Sequence, residues 1–130
     1  MGRLMFFNYN GGKLMSENRR EYFRVNFERT IAGQIIMQGG DSMYISIDNL
    51  SVKGLGFSSS IEIPLHAKVE CGFEILDSPF ELIGSIIRKS RNTDDITYGI
   101  DFVVDKEKSS HLFKQLNTYQ IRQRKGNYFD

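Results

Sequence analysis

Two stretches of the chain carry side chains whose types and spacing suit the capture of an anion. The first is Arg19-Arg20-Glu21-Tyr22-Phe23-Arg24-Val25. A guanidinium presents five N–H donors in a planar fork, which grips phosphate oxygens, pairs with guanine O6 and N7, or stacks on a base. Arg20 and Arg24 would stand roughly 13 Å apart on an extended chain, and become neighbours only where the segment curls. The second stretch is Asp48-Asn49-Leu50-Ser51-Val52-Lys53-Gly54-Leu55-Gly56-Phe57. On an extended strand Asn49 and Ser51 share one face and Leu50 points to the other. Asn49 offers an acceptor to guanine N–H groups, and Ser51 donates or accepts at a phosphate or base edge. Gly54 permits a tight turn or a close backbone approach. Taken alone, each stretch also has a plain structural reading. The first is a solvated basic lead-in to a strand, and the second an Asx or Ser turn between two strands.

Other chemistry finds little support. His66 and His111 lie far apart with no nucleophile and carboxylate arranged around either, and there is no GxSxG or P-loop lysine pattern. Two histidines and the lone Cys71 make no zinc ligand set. Gly54-Leu55-Gly56 lacks the strand–turn–helix context of a dinucleotide loop and reads as strand backbone, while Asp94-Asp95 reads as a solvated turn. The expectation is a protein that is not an enzyme and needs no cofactor.

The chain has 130 residues, 40% hydrophobic and 25% charged, the proportions of one globular domain. Its apolar runs, such as Leu4 to Phe7, are too short to cross a bilayer or to serve as a signal-peptide core. A single cysteine cannot form an internal disulfide, so a cytoplasmic location is expected. The net charge of +1 hides a division. Residues 1–30 carry six Lys/Arg against three Asp/Glu, residues 31–105 five against eleven, and residues 106–130 six against two. The middle is therefore −6, which argues against a groove that tracks nucleic acid and for a small anion held by a few placed arginines.

The elements that would position these groups are mostly strands. Residues 1–18, broken by Gly11-Gly12, show neither period and read as a flexible extension, with Met15 a candidate true start and an arm that orders on binding the alternative. From Arg24 onward, apolar residues alternate at Ile31/Ile35/Met37, at Met43/Ile45/Ile47 and most cleanly at Val69/Cys71/Phe73/Ile75. Gly54–Phe57, Phe80–Lys89 and Ile96–Val104 complete six strands, with turns at Gly39-Gly40-Asp41, Asp77-Ser78-Pro79 and the polar loop Ser90–Asp95. The period then changes. Asp105 suits an N-cap, and Leu112, Phe113, Leu116 and Tyr119 recur at helical spacing. Arg122, Arg124 and Lys125 precede Gly126, favourable charges at a helix C-terminus. The fold class is mainly β, an antiparallel six-stranded barrel with one C-terminal α-helix.

In this order and barrel context, Arg20-Glu21-Tyr22-Phe23-Arg24 and Asn49-Leu50-Ser51-Val52-Lys53-Gly54 resemble the RxxxR and (D/N)xSxxG signatures of the PilZ domain family. Phe23-Arg24-Val25, Gly54-Leu55-Gly56-Phe57, Gly84-Ser85-Ile86-Ile87-Arg88 and Tyr98-Gly99-Ile100-Asp101-Phe102 are similar to the family's flanking text. The resemblance covers residues 19–125, leaving 1–18 as an extension and 126–130 as a tail. It implies a receptor for the bacterial second messenger cyclic di-GMP. By that analogy Arg20 and Arg24 wrap over the ligand, with Arg19 as a helper, and Asn49, Ser51 and Gly54 line the barrel side. Arg88 corresponds to a strand arginine whose role varies within the family. The segment 19–24 is expected to close over the ligand and so alter a surface read by an unidentified protein partner. Monomer and homodimer both stay open. The alternatives are a structural or adaptor barrel that binds a protein without nucleotide and a barrel that stacks single-stranded nucleic acid on Tyr22, Phe23 and Tyr44. The negative middle of the chain disfavours the latter.

Overall fold

Period-two alternation places one row of each strand inside a barrel and the other row outside. In a computed structural model that describes residues 23–103 and 105–126, the strands are β1 (Arg24–Met37), β2 (Ser42–Ser51), β3 (Gly54–Ser59), β4 (Lys68–Ile75), β5 (Ser78–Arg91) and β6 (Ile96–Phe102). They pair antiparallel in the closed order β1-β2-β3-β6-β5-β4, and α1 (Lys106–Arg124) follows. Val69, Cys71, Phe73 and Ile75 of β4 all point inward, as their alternation requires. Phe57 and Tyr98 stack at 4.9 Å on paired strands in the interior. Burying side chains of this size contributes about 1.5–3 kcal/mol each.

Tight turns join the strands at glycines or at a short pair held in the left-handed region. Gly39 and Gly40 take φ of 105° and 100° between β1 and β2. Leu76 and Asp77 take φ of 51° and 68° to link β4 to β5, a two-residue hairpin of the kind that matches strand twist. The longer crossing from β3 to β4 is pinned by Tyr98, whose hydroxyl donates to the Ile61 carbonyl at 2.8 Å and accepts from the Ile63 amide at 2.9 Å.

The helix begins as expected, with the Asp105 carboxylate accepting from the Lys108 amide at 3.1 Å, and ends before Gly126 at φ 70°. Its buried row differs from expectation by one member. Leu112, Leu116 and Tyr119 are buried, but Phe113 is 48% exposed and the fourth buried position is Gln123. The reason lies on β1, which pairs with β4 only from Gly33 to Met37. Alongside the first half of β1 the Gln123 amide substitutes for a strand: its Oε1 accepts from the Glu28 amide at 3.0 Å and its Nε2 donates to the Asn26 carbonyl at 2.9 Å. Phe27 meets Tyr119 edge-on at 5.2 Å, and Phe23 meets Phe113 at 5.9 Å. Among the described residues no helix is long and apolar enough to cross a membrane.

Candidate functional site

Strand register brings the two sequence motifs together. Arg24 opens β1 opposite Ser51, the last residue of β2, and Asn26 stands opposite Asn49. From there the same face runs on to β3, where Asn49 pairs with Gly56 and Ser51 with Gly54. Gly56 pairs with Gly99 of β6, and Gly99 with Arg88 of β5. A β-bulge between Ile86 and Arg88 shifts the register of β5, and the Arg88 side chain lies over Gly99. The result is an outer surface with a floor of small residues, Arg24 and Asn49 on one side and Arg88 on the other.

Within it the contacts are specific. Arg24 donates through Nη1 to Asn49 Oδ1 and through Nη2 to Ser51 Oγ at 3.4 Å. Ser51 Oγ accepts from the Lys53 amide at 3.1 Å and donates to the Gly54 carbonyl at 3.4 Å. Burial, and then the positive charge of Arg88, lower the pKa of the Arg24 guanidinium from its usual value. Two cations thus face one surface, an arrangement whose repulsion an anion would relieve.

Arg24, Asn49, Ser51, Gly54 and Arg88 share this face, whereas Arg19 and Arg20 lie outside the described residues, as does the expected closing of the segment that carries them. Ser51 also fits the plain structural reading of its stretch, a Ser turn between two strands. It is fully buried, and it forms the turn that joins β2 to β3. The Phe102 amide donates to the Lys53 carbonyl at 2.7 Å, which ties that turn to β6. Gly54 is required by close approach: a Cβ there would stand 2.0 Å from the Ile100 carbonyl oxygen. Gly56 and Gly99 stand in the quoted sequence but were assigned no role, because only strand register sets them beside Asn49 and Arg88. No group of His, Cys, Asp and Glu among the described residues could hold a metal ion.

The barrel and its helix are those of one domain class. The PilZ domain family model matches residues 18–119, and the chain belongs to that family. No curated protein sequence matches it. Among solved structures it is similar to YcgR in complex with c-di-GMP from Escherichia coli, at 17% identity and a TM-score of 0.69, covering 83% of this chain and 49% of that one. It is similar also to the PilZ domain with c-di-GMP of YcgR from Escherichia coli, at 12% identity and a TM-score of 0.65, covering 84% of this chain and 96% of that one. The K. pneumonia MrkH–c-di-GMP complex matches at 11% identity and a TM-score of 0.64, covering 83% and 55%. The chain therefore spans about half the length of YcgR and MrkH.

Proposed function

We propose that the chain is a receptor for cyclic di-GMP, bound on the outer barrel face through Arg24, Asn49, Ser51, Gly54 and Arg88, with Arg19 and Arg20 closing over it. The observation that carries this reading is the meeting of Arg24 with Asn49 and Ser51, which joins the two family signatures in one surface beside a second guanidinium. Cyclic di-GMP has two phosphates for the guanidinium groups and guanine donors for the Asn49 acceptor. Membership of the family and the YcgR and MrkH complexes support the choice of ligand. The protein performs no catalysis; it works in the cytoplasm and passes the signal to a protein partner by a change of shape. Ligand contacts made only in the closed state would shift that equilibrium.

The alternative, an adaptor that binds a protein without nucleotide, has its own observation. Ile36, Ile83 and Val103 are exposed, with Ile36 and Ile83 flanking Glu70 across β1, β4 and β5, and the Val103 amide donating to the Ile83 carbonyl at 2.7 Å. Isothermal titration with cyclic di-GMP, beside GTP and GMP, separates the two. Saturable binding of the cyclic dinucleotide alone supports the receptor, and a flat titration leaves the adaptor.

A further inference from the structure

The strand glycines divide by what a side chain at each would strike. A Cβ at Gly54 would stand 2.0 Å from the Ile100 carbonyl oxygen, and one at Gly84 would stand 2.6 Å from that of Asp101. Both are backbone atoms that cannot move without moving a strand, so these glycines serve the barrel itself. Gly56 and Gly99 are different. A Cβ at Gly56 would meet the Asn49 amide, 2.8 Å from Nδ2 and 3.0 Å from Oδ1. At Gly99 it would meet the Arg88 guanidinium, 2.7 Å from Nη2, 2.8 Å from Cζ and 3.2 Å from Nε. Neither glycine has a positive φ, so backbone conformation does not demand glycine at either place. The nearest obstacle to a methyl group at Gly99 is the far end of a flexible, exposed side chain.

Gly56 and Gly99 are paired neighbours on β3 and β6, so Asn49 and Arg88 lie down over them from opposite sides. Arg88 in that pose acts electrostatically on Arg24, which itself holds Asn49. Among the described residues Arg88 makes no ion pair, and its guanidinium lies against Gly99.

We propose that Gly99 is a positioning residue for the ligand: lacking a side chain, it seats the Arg88 guanidinium flat on β6 as the cation opposite Arg24. Gly56 seats the Asn49 amide in the same way. The inference rests on the cyclic di-GMP reading and adds to it the residues that aim two of its polar groups.

The test is a mutant cycle on the full chain, read by cyclic di-GMP titration and thermal melting. Gly99→Ala should raise the dissociation constant about tenfold, the effect of misplacing one charge-assisted contact, and leave the melt close to wild type. Made in an Arg88→Ala background, the same substitution should change the constant by less than about twofold, because the group it displaces is gone. An equal loss in both backgrounds would mean that Gly99 serves the strand pairing, and would overturn the proposal. Arg88→Lys guards against a Gly99→Ala chain that fails to fold. It keeps the charge but has no planar group to lie on β6, and should bind several-fold more weakly than wild type. Wild-type affinity in both Arg88→Lys and Arg88→Ala would also overturn the inference. Failure of the wild-type chain to bind would instead overturn the receptor reading beneath it.

Discussion

Arg24 donates a hydrogen bond to Asn49, so the first residue of β1 and a residue near the end of β2 hold the two signatures together through protein atoms alone. The contact fixes one guanidinium beside the β2–β3 turn. On the receptor reading, ligand capture at Arg24 would exchange partners around a group that is already ordered.

Replacing Arg24 should therefore affect binding far more than folding. Arg24→Ala is expected to weaken cyclic di-GMP binding by about 1.5–3 kcal/mol, roughly ten- to a hundredfold. Its melt should stay near wild type, because the guanidinium sits beside a like charge, Arg88, and leaves no core contact behind. Arg24→Lys should recover only part of the affinity, since an ammonium neither forks nor stacks. Titration and melting of the same samples check both statements.

Ser51 and Asn49 should separate in stability while agreeing in affinity. Ser51→Ala removes the acceptor of the Lys53 amide in a fully buried turn and should cost about 1 kcal/mol of folding free energy. Asn49→Ala loses a surface contact to Arg24 and should stay within about 0.5 kcal/mol. Both should weaken ligand binding by at least about 0.5–1.5 kcal/mol. Denaturant unfolding with titration resolves the pair; an Ser51→Ala chain of wild-type stability would contradict the turn's role.

Tyr98→Phe supplies the opposite pattern. It keeps the ring stacked on Phe57 but leaves the buried Ile63 amide without its acceptor. A loss of about 1–3 kcal/mol of stability is expected, with affinity per folded molecule unchanged. A weakened ligand affinity in the folded variant would mean that the β3–β4 crossing takes part in the site.

Cys71 makes stability depend on alkaline pH. Burial first, and then the negative charge of Glu70, push its thiol from the usual 9.0 up to about 12. The folded state holds the proton more tightly than the unfolded one. This stabilisation is fully present below pH 9.0 and is lost as pH rises towards about 12, when the unfolded chain ionises and the folded one does not. Denaturant midpoints should fall across that window and fall less in a Cys71→Ala chain, where the raised Tyr119 phenol still contributes, and the folded thiol should resist a disulfide reagent that labels it in urea.

The barrel was legible because its signal is local. The alternation at Val69, Cys71, Phe73 and Ile75 and the cap at Asp105 need only neighbours in the chain, and both recur in the structure. Asn49 and Gly54 lie beside Arg24 in the strand register, which no local pattern gives. What stayed hidden depends on pairs distant in sequence. Phe113 was placed on the buried helix face and Gln123 was not, because the demand for an amide comes from Asn26 and Glu28, almost a hundred residues away in the chain. Ser51 could not be known as buried until Arg24, Lys53 and Gly54 were seen around it. Gly99 looks like ordinary strand glycine until the bulge on β5 brings Arg88 over it.

The Gln123 amide has a consequence for how this barrel meets other chains. Where β1 runs beyond its pairing with β4, the Gln123 amide of α1 takes the Asn26 carbonyl and the Glu28 amide. Should α1 swing away, a stretch of β1 directly after Arg24 becomes an open strand edge, a template for β-augmentation. A strand from another protein, or from a second copy exchanging the same element, could then complete the ladder in place of the helix. The helix thus covers this strand edge, and the contact to the edge's backbone is the amide of Gln123.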